Sequence, residues 1–260
     1  MTDLTMTAPR FDIGRVVKLT FGAVGRNWLV FGLLAVLLSG VPQALLGWTQ
    51  TQMQGNPSGA FSVLPVFVLE VLLTIVASYV LQAAVVYGTV ADLNGRRATF
   101  GECIAIGLRN LLPLIGLGIL MGIALGFGFL LLIVPGVLMG LAWIVAVPVV
   151  VVERTGVMAS FGRSADLTRN HRLAIFALVI LFVVIFWIGI IVVGVFTAVF
   201  TLGFAGNLTS PVLRLAIALV TAVLQAVVGA LGAAGIAAIY YELRSIKEGV
   251  GPEQLAAVFD

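Results

Sequence analysis

Apolar residues come in six long runs, at 28–48, 61–91, 112–133, 137–152, 173–202 and 211–241. A helix needs about 20 predominantly apolar residues to cross the hydrocarbon core of a bilayer. The pattern therefore predicts an all-α fold, a polytopic membrane helix bundle of about six spans with short amphipathic interfacial helices beside them. The fourth run is the short one: its 16 residues rise about 24 Å at 1.5 Å each, and Pro148 stands near its end. It is expected as a tilted partner in a hairpin or as a re-entrant segment. Pro135-Gly136 separates it from the third run, because proline cannot continue a helix and glycine permits a tight reversal.

Between the runs, three moderately polar stretches have helical periodicity, and each leads through an Arg-Asn pair into a span: Arg26-Asn27, Arg109-Asn110 and Arg169-Asn170. They read as a weak internal repeat. In the first, Ile13, Val16, Val17, Phe21 and Val24 share one side and Arg15, Lys18 and Arg26 another, as expected of a helix lying along a bilayer surface. The second opens with Thr99-Phe-Gly-Glu102, which fits a capping box, and continues in a stripe of Phe100, Cys103, Ile104, Gly107 and Leu108. In the third, Val157, Phe161, Ala165 and Thr168 oppose Arg163, Asp166 and Asn170.

Charge then orients the spans. Arg10, Arg15, Lys18 and Arg26 precede the first span; Arg96, Arg97 and Arg109 lie between the second and third. Arg154, Arg163, Arg169 and Arg172 lie between the fourth and fifth, and Arg244 and Lys247 follow the sixth. These are 13 of the 14 basic residues, Arg214 being the exception. The excess of Lys and Arg on cytoplasmic loops predicts that both termini and both basic loops lie in the cytoplasm. One integral domain over 1–260 results, with 1–26 as an amphipathic cytoplasmic segment and 242–260 as a cytoplasmic tail. Met1 to Arg26 contains no apolar core ahead of a cleavage site, so no removable signal peptide is expected.

Composition agrees: 61% of residues are hydrophobic and 10% charged, against about 25% charged in a soluble domain. The net charge of +3 and a pI near 9.4 do not indicate nucleic-acid binding, since the basic residues lie between apolar runs and form no patch with interleaved aromatics. Cys103, the single cysteine, forms no intramolecular disulfide and reads as a small packing residue. His171, the single histidine, has no ligand cluster around it in the sequence, and no nucleotide-binding or nucleophile-elbow motif is present. No cofactor and no enzymatic activity are expected.

The remaining candidates are polar residues within spans. Glu70 is the one acidic residue inside a predicted span, and such a carboxylate is by default a candidate for ion coupling. It falls near the outer interface, where an ion pair with Arg214 at the start of span six is expected. Val80-Leu81-Gln82-Ala83 and Val223-Leu224-Gln225-Ala226 are similar, and the exits Tyr87 to Leu93 and Tyr240 to Leu243 match loosely. Gln82 and Gln225 must satisfy their amides at hydrocarbon depth, and an interhelical hydrogen bond is the expected solution. Gly118, Gly122 and Gly126, and likewise Gly229, Gly232 and Gly235, mark faces for close helix approach. The candidate contacts to anionic lipid headgroups are Arg15, Lys18, Arg26, Arg109, Arg163 and Arg169, although setting topology is itself a sufficient reason for these arginines.

Pro135-Gly136 through Pro148-Val-Val-Val-Val-Glu153, then Ser160-Phe-Gly-Arg163-Ser164 and Leu167-Thr-Arg-Asn170, resembles the membrane domain associated with glycerophosphoryl diester phosphodiesterases and related six-span bacterial inner-membrane proteins. Phe11-Asp-Ile-Gly14 to Asn27 and Ala238-Ile-Tyr-Tyr-Glu-Leu-Arg244 are similar too. In some relatives that region is joined to a soluble phosphodiesterase domain; with 16 residues after Arg244, the resemblance carries over architecture and no catalytic residue. The expected function is a non-catalytic membrane scaffold that engages lipids or an unknown protein partner. The alternative is a small-molecule transporter or channel with a polar path through Glu70, Gln82 and Gln225.

Overall fold

The computed structural model describes residues 11–55, 60–203 and 211–249. Among these there is no strand, and six helices are long and apolar enough to cross a membrane: Trp28–Gln50, Phe61–Leu93, Leu111–Leu131, Ile133–Glu153, Arg172–Val192 and Leu219–Glu248. The bundle is built three times over from one plan, a short polar helix followed by two spans. In the first unit, α1 (Ile13–Arg26) leads into a composite span of α2 (Trp28–Ala35), a π-helical turn (Val36–Gly40) and α3 (Val41–Gly55), and α4 (Ala60–Leu93) returns. In the second, α5 (Phe100–Arg109) leads into α6 (Leu111–Leu131). The return is α7 (Ile133–Trp143), the short α8 (Ala146–Pro148) and a second π-helical turn (Val149–Glu153). In the third, α9 (Val157–Thr168) leads into α10 (Arg172–Gly203), and α11 (Pro211–Glu248) returns.

The asparagines explain the joints. The backbone N–H and the side-chain amide of Asn27 both donate to the Ala23 carbonyl, at 3.1 and 2.9 Å, closing α1. The Asn27 carbonyl then accepts from the Phe31 N–H to start α2. Asn110 repeats this with Ile106 behind it and Leu114 ahead. The third joint differs: Asn170 takes a left-handed conformation, φ 72°, and the His171 carbonyl begins α10 by accepting from Ile175. Asparagine tolerates that conformation better than most residues.

Three boundaries differ from those expected. The reversal between spans three and four occurs at Leu132, which is extended, and Pro135 sits in the first turn of α7, where a missing N–H costs nothing. Gly136 contributes by close packing instead, for a side chain there would meet the Phe129 ring at 2.7 Å. The fourth apolar helix covers Ile133–Glu153 and reaches 21 residues, long and apolar enough to cross a membrane. Pro148 interrupts it at residues 144–145, because its ring excludes a hydrogen bond to the carbonyl four residues back. The last helix continues to Glu248, so the first seven residues of the expected tail, 242–248, are helical.

The final helix is the centre of the packing: α11 touches α1, α2, α3, α4, α9 and α10. One core gathers Val86, Leu114, Leu117, Val145, Leu178 and Tyr240 around it, and a second gathers Phe31, Leu34, Val85, Cys103, Ala230 and Ala234. The small stripe Val16, Thr20 and Ala23 buries α1 on this centre, leaving Phe21 47% exposed. That buried stripe is rotated from the larger apolar one read in the sequence, because small residues permit the close approach.

Candidate functional site

Two regions hold the polar chemistry, a charged layer at one end of the bundle and a cleft between spans. The charged layer is built where the short helices meet the ends of α4, α11 and the fourth span. Arg26 donates to Asp92 through Nη2 at 2.5 Å and Nε at 3.1 Å, and Asn27 donates to the same carboxylate at 2.9 Å. The Asp92 side chain is 6% exposed; its hydrogen bonds raise the Arg26 guanidinium above its ordinary range. Arg15 lies 3.4 Å from Glu242, a buried carboxylate on α11. Spans two and six thus each present an acid to α1.

A second cluster joins the fourth span, α9 and α11. Arg163 donates to Glu153 through Nε at 3.0 Å and also to Glu248, and the two carboxylates raise its guanidinium further. The Tyr240 hydroxyl donates to Glu153 at 3.0 Å and accepts from Arg244. The Tyr87 hydroxyl likewise accepts from Arg96 at 3.2 Å, so the two similar span exits make equivalent Tyr–Arg contacts. Such charge-assisted networks order neighbouring elements.

Of the six candidate lipid contacts, Arg15, Arg26 and Arg163 are therefore engaged within the protein. Lys18, Arg109 and Arg169 are exposed and have no ion pair among the described residues. The sequence identified the arginines without revealing which acids would claim them, because Glu242 of Arg15, Asp92 of Arg26 and Glu248 of Arg163 come from distant elements.

Glu70 does not stand open. One of its oxygens accepts from the Thr49 hydroxyl of α3 at 3.0 Å, and the other is buried without a hydrogen bond. The expected Glu70–Arg214 pair lies outside the described residues, since the Arg214 side chain is not among them. Thr49 was missed, though a threonine in an apolar run is a standing candidate for such a bond.

The cleft lies between α3, α4, α10 and α11, with a volume of about 960 Å³. Gln82 and Gln225 both line it, joined by Gln43 and Ser39, which sequence reasoning passed over. No hydrogen bond links Gln82 to Gln225 or satisfies either amide among the described residues, contrary to the expected interhelical bond. Glu70 is not in the lining, so this cleft brings together two of the three residues of the alternative reading. The glycine faces divide similarly. Gly118 meets the Tyr79 side chain and Gly235 the Phe182 ring, whereas Gly122 and Gly126 face open space and Gly229 and Gly232 shape the cleft.

No group of three or more metal-ligating side chains occurs among the described residues. A family model described as a domain of unknown function (DUF7847) matches residues 120–243, which runs from within the third span to the Tyr240–Arg244 segment. No curated protein and no solved structure matches the chain.

Proposed function

We propose that this chain is a non-catalytic, multi-pass protein of a bacterial inner membrane, with its charged end in the cytoplasm, where it engages anionic lipid headgroups or a protein partner. The observation that carries this reading is the division of labour among the cations. Arg15, Arg26 and Arg163 are consumed in holding the short helices, while Lys18, Arg109 and Arg169 project from the three short helices or their ends with no ion pair among the described residues. Near an anionic surface each such residue contributes about 1 kcal/mol.

The resemblance to the phosphodiesterase-associated membrane domain supports the same architecture. Glu153, Arg163, Tyr240 and Arg244, which lie in the similar segments, are the residues that build the charged cluster.

The test is retention of phosphatidylglycerol by the purified protein, read by native mass spectrometry. The combined variant Lys18→Ala, Arg109→Ala, Arg169→Ala is expected to retain several-fold less than the parent at unchanged melting temperature. Equal retention would remove the lipid half of the proposal and leave a protein partner, to be sought by crosslinking from the same three positions.

A further inference from the structure

We infer that the cleft between α3, α4, α10 and α11 is a binding site for a neutral amphiphile, an apolar body bearing carbonyl or hydroxyl oxygens at hydrocarbon depth. The inference starts from unmet hydrogen-bonding capacity. Gln43, Gln82 and Gln225 line one cleft, and none of their side-chain amides has a partner among the described residues. Each carboxamide brings two N–H donors and an acceptor oxygen, and a lipid environment offers nothing to satisfy them. Three carboxamides gathered from three helices therefore call for a ligand with oxygens in reach.

Depth excludes an ordinary headgroup position. At 1.5 Å per residue, Ser39 lies roughly 16 Å along its span from Trp28, and Gln82 lies the same distance from Leu93. Phe186 and Ile190, on α10, lie roughly 21 and 27 Å from Arg172. Ser39 and Gln82 thus sit near the middle of a core about 30 Å thick, and Gln43 lies one turn beyond Ser39. Phe186 is 49% and Ile190 48% exposed, so the mouth of the cleft meets acyl chains.

Among the described residues the lining carries no charged side chain, which disfavours an ionic ligand, for its charge would be desolvated without a counter-charge. Apolar side chains supply the rest of the wall, including Leu224, Val228 and Ile236. An apolar cavity with a few convergent polar groups is the usual form of a small-molecule site. Gly229 and Gly232 leave the floor open, since a Cβ at either would have nothing within 4 Å. A lipid-soluble quinone and a diacylglycerol share the required chemistry.

The experiment measures binding of a decyl-substituted benzoquinone, dioleoylglycerol and dioleoylphosphatidylglycerol to the full chain in detergent. Two variants accompany the parent: Gln82→Leu with Gln225→Leu, which removes amides, and Gly232→Leu, which fills the floor while keeping them. Binding of the quinone or the diacylglycerol, weakened at least tenfold by both variants at unchanged melting temperature, is expected, and which of the two binds names the source. Binding of the phosphatidylglycerol alone, of none of the three, or equal binding by parent and variants overturns the inference. Because the cleft and the free cations are different residues, this outcome is independent of phosphatidylglycerol loss at Lys18, Arg109 and Arg169.

Discussion

At single positions the packing is decided by glycines and one thiol. A Cβ at Gly107 of α5 would lie 2.7 Å from the Val80 backbone carbonyl of α4. Backbone cannot swing aside as a side chain can, so Gly107→Ala should lower stability by about 1–3 kcal/mol, as overpacked cores do, seen as a lower melting temperature in detergent. Gly122→Ala, with nothing within 4 Å, should leave it unchanged. These two outcomes were not legible in the sequence, where Gly118, Gly122 and Gly126 looked equivalent; which member of a small-residue row touches a neighbour depends on the crossing point of two helices. Cys103 was legible as a packing residue. It is wholly buried, and burial pushes its thiol up to about 11. Since the thiolate is the reactive form, maleimide at pH 8 should leave Cys103 unmodified until the protein is denatured, and ready modification of the folded protein would contradict its burial.

At the scale of elements, the caps were written plainly and the long-range partners were not. Thr99 and Glu102 form the expected capping box, each satisfying the other's backbone amide. Those bonds, with Thr99 the main cause, hold the Glu102 carboxyl below its ordinary range. A depressed carboxylate stabilises the folded state above its unfolded pKa, and the contribution is lost as pH falls through that range toward the folded value. Melting temperature should therefore fall below about pH 4.5, and less steeply in Thr99→Ala.

The break in the fourth span shows what sequence could not supply. Pro148 announces an interruption, but the Ala142 carbonyl, just ahead of the break at residues 144–145, accepts from the Ser164 and Thr168 hydroxyls of α9 at 2.8 and 3.3 Å. Only the packing of α9 against α7 makes that pairing. Arg163 on the same helix is held by Glu153 and Glu248. Arg163→Ala should cost about 1–3 kcal/mol by leaving half-buried acceptors unmet, and Arg163→Lys should recover only part, because an ammonium lacks the planar fork.

For the whole molecule, six spans and three interfacial helices were readable because apolar length and Arg-Asn joints are local signals. The cleft was not, since Gln43, Gln82 and Gln225 lie on three helices whose rotation no run of letters specifies. Orientation is open to a direct experiment. In a Cys103→Ser background, single cysteines at Arg97 and Arg154 should be blocked by a membrane-impermeant reagent only after spheroplasts are lysed, whereas Ser62 replaced by cysteine should react from outside. Labelling of Arg97→Cys in intact spheroplasts would reverse the assignment.

The position of α11 at the hub also sets a timetable for biogenesis. Residues near the beginning of the described chain, Arg15 on α1 and Phe31 in the core around Ala230 and Ala234, await a helix that is translated after the other described spans. Until α11 is inserted, Arg163 and Glu153 hold each other while Tyr240 and Glu248 are still missing. The earlier spans then wait in the bilayer without their central partner, and quality-control proteases would meet the faces that α11 covers whenever synthesis stops short of residue 211.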